Sequence, residues 1–260
     1  MNVTNQHGLP DVFVRAVQDD PYDQGEADFS VTGLIGPPQI ARLREEHGDK
    51  LSTDVSDEIW KLLGSGVHNI LERHADGVAE KRYYANFSVL ADDNTDWTNG
   101  LGIRQCTARI SGAVDVVKDG HVSDYKVTSA YTVKKGLKPE WEAQLNLYAW
   151  LLEENGIEPK SLSIVAVCRD WMKRQAGKNG YPNIPVVVIP VPMWGAERRE
   201  RFLDQRVRLH TSDKTVPCTD EERWLNSSGT YVRCEGWCDV SEFCPQQRGA
   251  NNGDGKTISR

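Results

Sequence analysis

Asp115, Asp124 and Lys126 are the residues of this chain whose types and spacing could do chemistry together. Asp115 closes the run Gly112-Ala-Val-Asp115, and Asp124 and Lys126 stand two apart in Asp124-Tyr-Lys126. In extended chain, residues two apart project from one face, so a carboxylate and an ammonium would share a side while Tyr125 faces the other. Two carboxylates beside a lysine are the minimum parts for holding a hard divalent cation in oxygen ligands, with a positive charge left for a phosphate or an attacking water. That is phosphodiester chemistry in outline.

These side chains need elements that bring them together. Segments 108–118 and 122–128 read as strands joined by Asp119-Gly120, a dipeptide favoured in tight hairpin turns. Beyond Pro139 the spacing of Trp141, Leu145, Tyr148, Ala149 and Leu152 predicts a helix over 140–155, with Gln144, Leu145 and Tyr148 along one side. Upstream, Ile59, Leu62, Leu63, Val67, Ile70 and Leu71 predict another helix, for which Ser56-Asp57 offers a cap. His68 and Glu72 lie four apart on that helix and project from one face.

Elsewhere the pattern predicts a helix over 39–46, strands at 82–90, 103–117, 162–167 and 186–190, and an arginine-rich helix over 194–210. A polar loop, 92–102, separates the first two of these strands. Segment 11–29 is acidic, aperiodic and broken by Pro21 and Gly25, which suits a mobile lead-in. The tail 249–260 reads as disordered.

The net charge of −7 argues at first against a nucleic-acid partner. Residues 1–60, however, hold twelve acidic and four basic side chains, a net of −8, so the remaining chain is close to neutral at +1. Within it Lys134, Lys135 and Lys138 cluster, and Arg169, Lys173, Arg174 and Lys178 follow in a stretch that also carries Trp171 and Tyr181. Cations can follow a phosphate backbone while aromatic rings stack on exposed bases, a combination suited to single strands. An ordinary solvated loop is the alternative. No apolar run approaches the roughly 20 residues of a membrane span, and the amino terminus lacks a secretory pattern, so a soluble intracellular protein is expected.

Cys106 and Cys168 fall in apolar strand contexts, where a thiol behaves as a small buried hydrophobe. Cys218, Cys234, Cys238 and Cys244 instead crowd together near the end of the chain. In an intracellular protein such a group points to metal: four thiolates can take zinc tetrahedrally or hold an iron–sulfur cluster, and spacing alone does not choose.

Taken in order, Gly64-Ser-Gly-Val-His68-Asn-Ile-Leu-Glu72, Gly112-Ala-Val-Asp115, Asp124-Tyr-Lys126 and Gln144-Leu-Asn-Leu-Tyr148 resemble the PD-(D/E)XK nuclease superfamily. The likeness is to its RecB-like exonuclease branch, forms of which occur in tailed phages, and it covers residues 63–244. The resemblance implies an α/β fold with a restriction-endonuclease-like αβββαβ core. To this are added an N-terminal helical extension and a C-terminal Cys-rich segment: a lead-in over 1–30, the core over 31–212 and the Cys-rich segment over 213–248.

It also implies roles. Asp115, Asp124, the backbone carbonyl of Tyr125 and His68 would hold Mg2+ or Mn2+, and Lys126 would position the attacking water or stabilise charge on the phosphate. Gln144 and Tyr148 would orient the lysine or contact DNA, and Glu72 matches a recurrent motif acid. Members of the branch bind a 4Fe-4S cluster through three C-terminal cysteines and one far upstream. This chain has no cysteine before Cys106, so Cys218 would take the place of the distant ligand. Zn2+ is the alternative occupant. The expected substrate is DNA with linear or single-stranded ends, met in recombination, repair or end processing beside a recombination or helicase partner. The setting would be the cytoplasm of a bacterium or phage-infected host. The competing readings are a catalytically silent nuclease-like DNA-binding module and a zinc-dependent interaction module.

Overall fold

The computed structural model describes residues 2–19, 25–90, 105–212 and 214–247. In chain order the first elements are β1 (Asn2–Thr4), α1 (Asp11–Gln18), β2 (Phe29–Ser30), α2 (Val31–Ile35), α3 (Pro38–His47), β3 (Ser52–Asp54) and α4 (Ile59–Glu72). Then come β4 (Val78–Leu90), β5 (Gln105–Lys118), β6 (His121–Thr128), α5 (Ala130–Lys135) and α6 (Pro139–Glu154). The chain continues through β7 (Ser161–Cys168), β8 (Val186–Val191), α7 (Ala196–His210) and α8 (Val232–Gly236). The expected loop at 92–102 and the tail at 249–260 lie outside the described residues.

Two compact units emerge, one made of residues 22–35 and 60–207, the other of 1–21, 36–59 and 208–260. The first holds a mixed sheet in the order β2-β5-β6-β7-β8, with β4 also paired to β5. β4, β5 and β6 form the antiparallel meander that the turn signals predict, β7 joins parallel to β6, and β8 returns antiparallel along the edge. The architecture is the α/β class expected, with the αβββαβ order running through α4, β4, β5, β6, α6 and β7.

The core of this unit lies between the sheet and α6, where Ile110, Val114, Leu145, Leu152 and Ile164 are buried. Helix α6 departs from the one-sided stripe that its spacing suggests. Every residue from Ala143 to Leu152 is buried, because Leu34 of α2 and Leu203 and Val207 of α7 join the same core. A helix enclosed by several layers is apolar on more than one side. Its polar Asn146 is tolerated because Nδ2 donates to the carbonyls of Glu142 and Pro192 at 2.8 and 3.0 Å, while Oδ1 accepts the Trp194 amide at 2.6 Å.

The second unit gathers around a smaller core of Ile40, Leu43, Leu51, Val240 and Cys244, with Cys218, Cys238 and Phe243 packed against it. Helix α3 therefore groups with the Cys-rich segment, whereas the sequence placed it with the nuclease-like core. The lead-in also differs from expectation. Residues 2–4 pair in parallel with 52–54, and Asp11–Gln18 is helical although none of its residues is buried. Ser56 does not cap α4; its amide and hydroxyl both donate to Asp54 Oδ1 at 3.0 and 2.8 Å, completing a turn that precedes the helix.

Candidate active site

The β5–β6 hairpin creates the site by ceasing to pair. Asp119 and Gly120 take φ values of +52° and +83°, the left-handed pair that a tight hairpin needs, and Lys118 faces His121 across the turn. The ladder runs through Val117–Val122 to Val116–Ser123 and ends there. At the next position the Tyr125 amide donates to Asp115 Oδ2 at 2.6 Å, so a carboxylate replaces the backbone acceptor. Asp115 is 7% exposed and Asp124 only 1%.

Asp124 is held from both sides. Gln144 Nε2 on α6 donates to Asp124 Oδ1 at 3.0 Å and to the Tyr148 hydroxyl at 2.9 Å. Lys126 Nζ lies 2.7 Å from Asp124 Oδ2, as the shared strand face predicts. The contact is a charge pair without hydrogen-bond alignment, so this buried oxygen keeps unused acceptor capacity. Gly112 lets the helix come this close: a Cβ there would stand 2.7 Å from Tyr148 Cε1 and 2.8 Å from Leu151 Cδ1.

His68 reaches the same place from α4. Its Nε2 is 2.8 Å from the Tyr125 carbonyl, and its Nδ1 is 3.5 Å from Asp115 Oδ2 and 3.6 Å from Glu80 Oε1. Glu80 raises the proton affinity of the imidazole most; burial opposes it, Asp115 and Asp124 add to it, and Lys126 opposes it. The Asp115 carboxyl is pushed up to about 7, first by burial and then by the charge of Asp124, against the pull of His68, the Tyr125 amide and Lys126.

The expected members Asp115, Asp124, Tyr125, Lys126, His68, Gln144 and Tyr148 thus come together. Glu72 does not join the carboxylates that face His68, and is exposed at the end of α4. Glu80 is the member that sequence reasoning missed. Its placement depends on the β4–β5 register, and no local pattern around Ala79-Glu80-Lys81 announces it.

The group suits a hard divalent cation. The ligand atoms of His68, Glu80 and Asp115 lie within 4.8 Å of one another, with the Tyr125 carbonyl beside the imidazole. A cation among them would also offset the mutual repulsion of the buried aspartates.

Lys134 and Lys135 are exposed at the end of α5, and Arg169, Lys173, Arg174 and Lys178 are exposed along the β7–β8 connection. The aromatics of that connection are half-buried and tied by their polar edges. Trp171 Nε1 donates to the Pro182 carbonyl at 2.9 Å, and the Tyr181 hydroxyl accepts from the Met172 amide at 2.8 Å while donating to the Asp170 carbonyl at 3.3 Å. They close the loop upon itself.

In the other unit the four C-terminal cysteines are free and lie within one another's electrostatic reach. The Cys218 thiol is pushed up to about 12, by burial first and then by Glu222, Cys244, Cys238 and Cys234. Thiolate sulfur is the donor type that a soft metal takes, while the ligand group gathered within 4.8 Å among the described residues is that of His68, Glu80 and Asp115.

A profile of the PD-(D/E)XK nuclease superfamily matches residues 39–245, and the chain belongs to that superfamily. Among solved structures, one titled "Crystal structure of SSO0001" is similar in fold at a TM-score of 0.57 and 18% identity, covering 91% of this chain and 95% of that one. No curated protein sequence matches. Membership in the superfamily points to a nuclease with DNA as substrate and to use of a divalent metal ion. Among the described residues no helix is long and apolar enough to cross a membrane.

Proposed function

We propose that the chain is a metal-dependent deoxyribonuclease that degrades DNA from its ends, in recombination or end processing. The observation that carries this reading is the convergence of Asp115, Asp124, Lys126 and His68 on one site beside the Tyr125 carbonyl. The preference for ends rests on the RecB-like order of the motifs.

His68, Asp115, Asp124 and the Tyr125 carbonyl would hold Mg2+ or Mn2+, with Glu80 at the same group. When bound, such an ion supplies Lewis acidity at the phosphate and a water of lowered pKa. The chain's own residues do the rest. Asp124 keeps the Lys126 ammonium beside the carboxylates, where it stabilises charge building on the phosphate. Gln144 fixes Asp124 through Oδ1 and leaves Oδ2 on the lysine side. Asp115, anchored by the Tyr125 amide, has little freedom to leave the site.

Cys218, Cys234, Cys238 and Cys244 are proposed as ligands of a structural 4Fe-4S cluster, with zinc as the alternative. Four thiolates fill a tetrahedral ion and leave no open position for catalysis.

The test is incubation of anaerobically purified protein with end-labelled linear DNA and closed circular DNA in Mn2+, Mg2+ or EDTA, with its visible spectrum recorded. Metal-dependent loss of linear DNA with circles spared supports the reading. Asp115→Ala, Asp124→Ala and Lys126→Ala should each abolish cleavage while the fold survives. Cleavage retained in two of the three removes the site assignment, and DNA binding without cleavage in any metal leaves a binding module instead.

A further inference from the structure

Helix α4 delivers His68 to the site, yet none of its residues is buried. Trp60 in its first turn is 51% exposed, and Leu63 and Ile70 of the same helix are exposed as well. Trp60 has one neighbour of note: the Arg169 guanidinium carbon lies 4.3 Å from the centre of its ring. Eight residues of helix, about 12 Å, separate Trp60 from His68.

Arg169 connects this ring to the end of the catalytic strand. Its amide donates to the Thr128 carbonyl at 2.9 Å, two residues beyond Lys126 on β6. The next residue, Asp170, accepts the Ala130 amide at 2.7 Å and so fastens the start of α5 to the same loop. On α5, Tyr131 is 61% exposed, with Lys135 Nζ 4.7 Å from its ring centre. Lys134 runs beside Gly180, farther along the β7–β8 connection.

Of these two exposed rings, each attended by a cation, Tyr131 stands on α5, which follows β6, and Trp60 on α4 meets Arg169, which follows β7. We propose that Trp60 and Tyr131, with Arg169, Lys134 and Lys135, form a surface that stacks unpaired bases of a single DNA strand and tracks its phosphates beside the active site. This rests on the nuclease reading and adds to it the form of DNA engaged. Rings accept any base by its face, while cations supply sequence-independent attraction. Arg169 covers part of the indole and holds it in place, leaving the rest open. In a duplex the base faces are already stacked, so the rings discriminate between strands where the lysines do not.

The experiment is fluorescence anisotropy of labelled oligo(dT) and of a duplex of equal length, with the full chain in EDTA so that nothing is cut. Trp60→Ala combined with Tyr131→Ala should weaken oligo(dT) binding about tenfold or more, by the usual strength of base–aromatic stacking. Duplex binding should stay within about twofold, and Trp60→Phe should retain most of the oligo(dT) affinity. Lys134→Ala with Lys135→Ala should weaken both ligands and flatten the salt dependence. An unchanged oligo(dT) affinity in the ring variant overturns the proposal, as does an equal loss on both ligands. So does a change in self-association by sedimentation without a change in DNA binding, which would make the helix face a contact between copies. Cleavage by the parent chain in Mn2+, scored separately, reports on the nuclease reading: if it persists while the rings prove irrelevant, only the stacking surface is lost.

Discussion

Glu80 and Asp115 occupy the position at which the β4–β5 pairing is interrupted, between the paired positions Ala79–Val116 and Lys81–Val114, and Glu80 has a left-handed φ of +46°. A non-glycine residue in that conformation costs of order 1–3 kcal/mol and persists where its surroundings hold it, often at functional sites. Here the turn accompanies a carboxylate 3.6 Å from His68.

The first expectation concerns that residue. Glu80→Gln keeps the shape and removes the charge, and should weaken Mn2+ binding by roughly 10–100-fold, the usual effect of losing a carboxylate that supports a metal site. Glu80→Gly should do the same to metal binding yet leave the metal-free protein as stable or up to about 1 kcal/mol more stable, because the strained backbone is relieved. Isothermal titration with Mn2+ and urea unfolding separate the two effects. Full metal affinity in both variants would make Glu80 an ordinary strand residue.

Protonation gives the second. The Asp115 carboxyl is raised to about 7, above its unfolded value near 3.9, and the His68 imidazole is raised as well. A group with a raised folded pKa favours the folded state when protonated, so its stabilisation is complete below the unfolded value and is lost as pH climbs through the folded one. The metal-free protein should therefore lose thermal stability from pH 4 towards pH 7 and above, by this contribution. Metal binding needs the deprotonated carboxylate, so the gain in Tm on adding Mn2+ should grow across pH 6–8. Asp115→Asn should flatten the metal-free profile and remove the Mn2+ response. A parent protein whose metal response is independent of pH would contradict the assignment.

Packing supplies the third. Gly112→Ala places a methyl 2.7 Å from the Tyr148 ring and 2.8 Å from Leu151, inside a core with no slack. The cost should be about 1–3 kcal/mol, read as a lower urea midpoint. Tyr148 would also be pushed from Gln144, so cleavage should fall more than the loss of folded protein explains. Tyr148→Phe in the Gly112→Ala background tests the route: because it removes the hydroxyl but not the crowded ring, it should recover little stability.

How far the sequence reached depended on whether the information was local. The Asp119-Gly120 turn and the shared face of Asp124 and Lys126 follow from turn chemistry and strand alternation, and both stand in the structure. Gly112 and Tyr148 were visible as motif members, but not that one exists to admit the other, since that requires α6 to lie against β5. Glu80 was invisible because it comes level with Asp115 only through a long-range register, and a left-handed glutamate has no propensity to announce it. The polar edges of Trp171 and Tyr181 close their loop, which composition alone did not announce. The burial of α6 on several faces came from α2 and α7, elements distant in sequence.

The last expectation joins α3 to the cysteines. Gln39 is 3% exposed; its Nε2 donates to Cys244 Sγ at 3.1 Å and its Oε1 accepts the Cys218 amide at 3.3 Å. The Cys218 amide has a second acceptor in Gln246 Oε1 at 2.9 Å, whereas Gln39 provides the donor to the Cys244 sulfur. Hydrogen bonds to a ligating sulfur stabilise its negative charge and help set the potential of an iron–sulfur cluster. Gln39→Leu should keep the fold and part of the bound metal, lower the reduction potential if iron–sulfur is present, and shift the visible absorbance. Cys244→Ser should instead lose most of the metal and lower the thermal stability of the second unit. Metal analysis and spectra of anaerobically purified variants decide the matter. Unaltered metal content and spectrum in Gln39→Leu would leave the glutamine as packing alone, and metal-free parent protein would leave Cys218, Cys238 and Cys244 as parts of the small core.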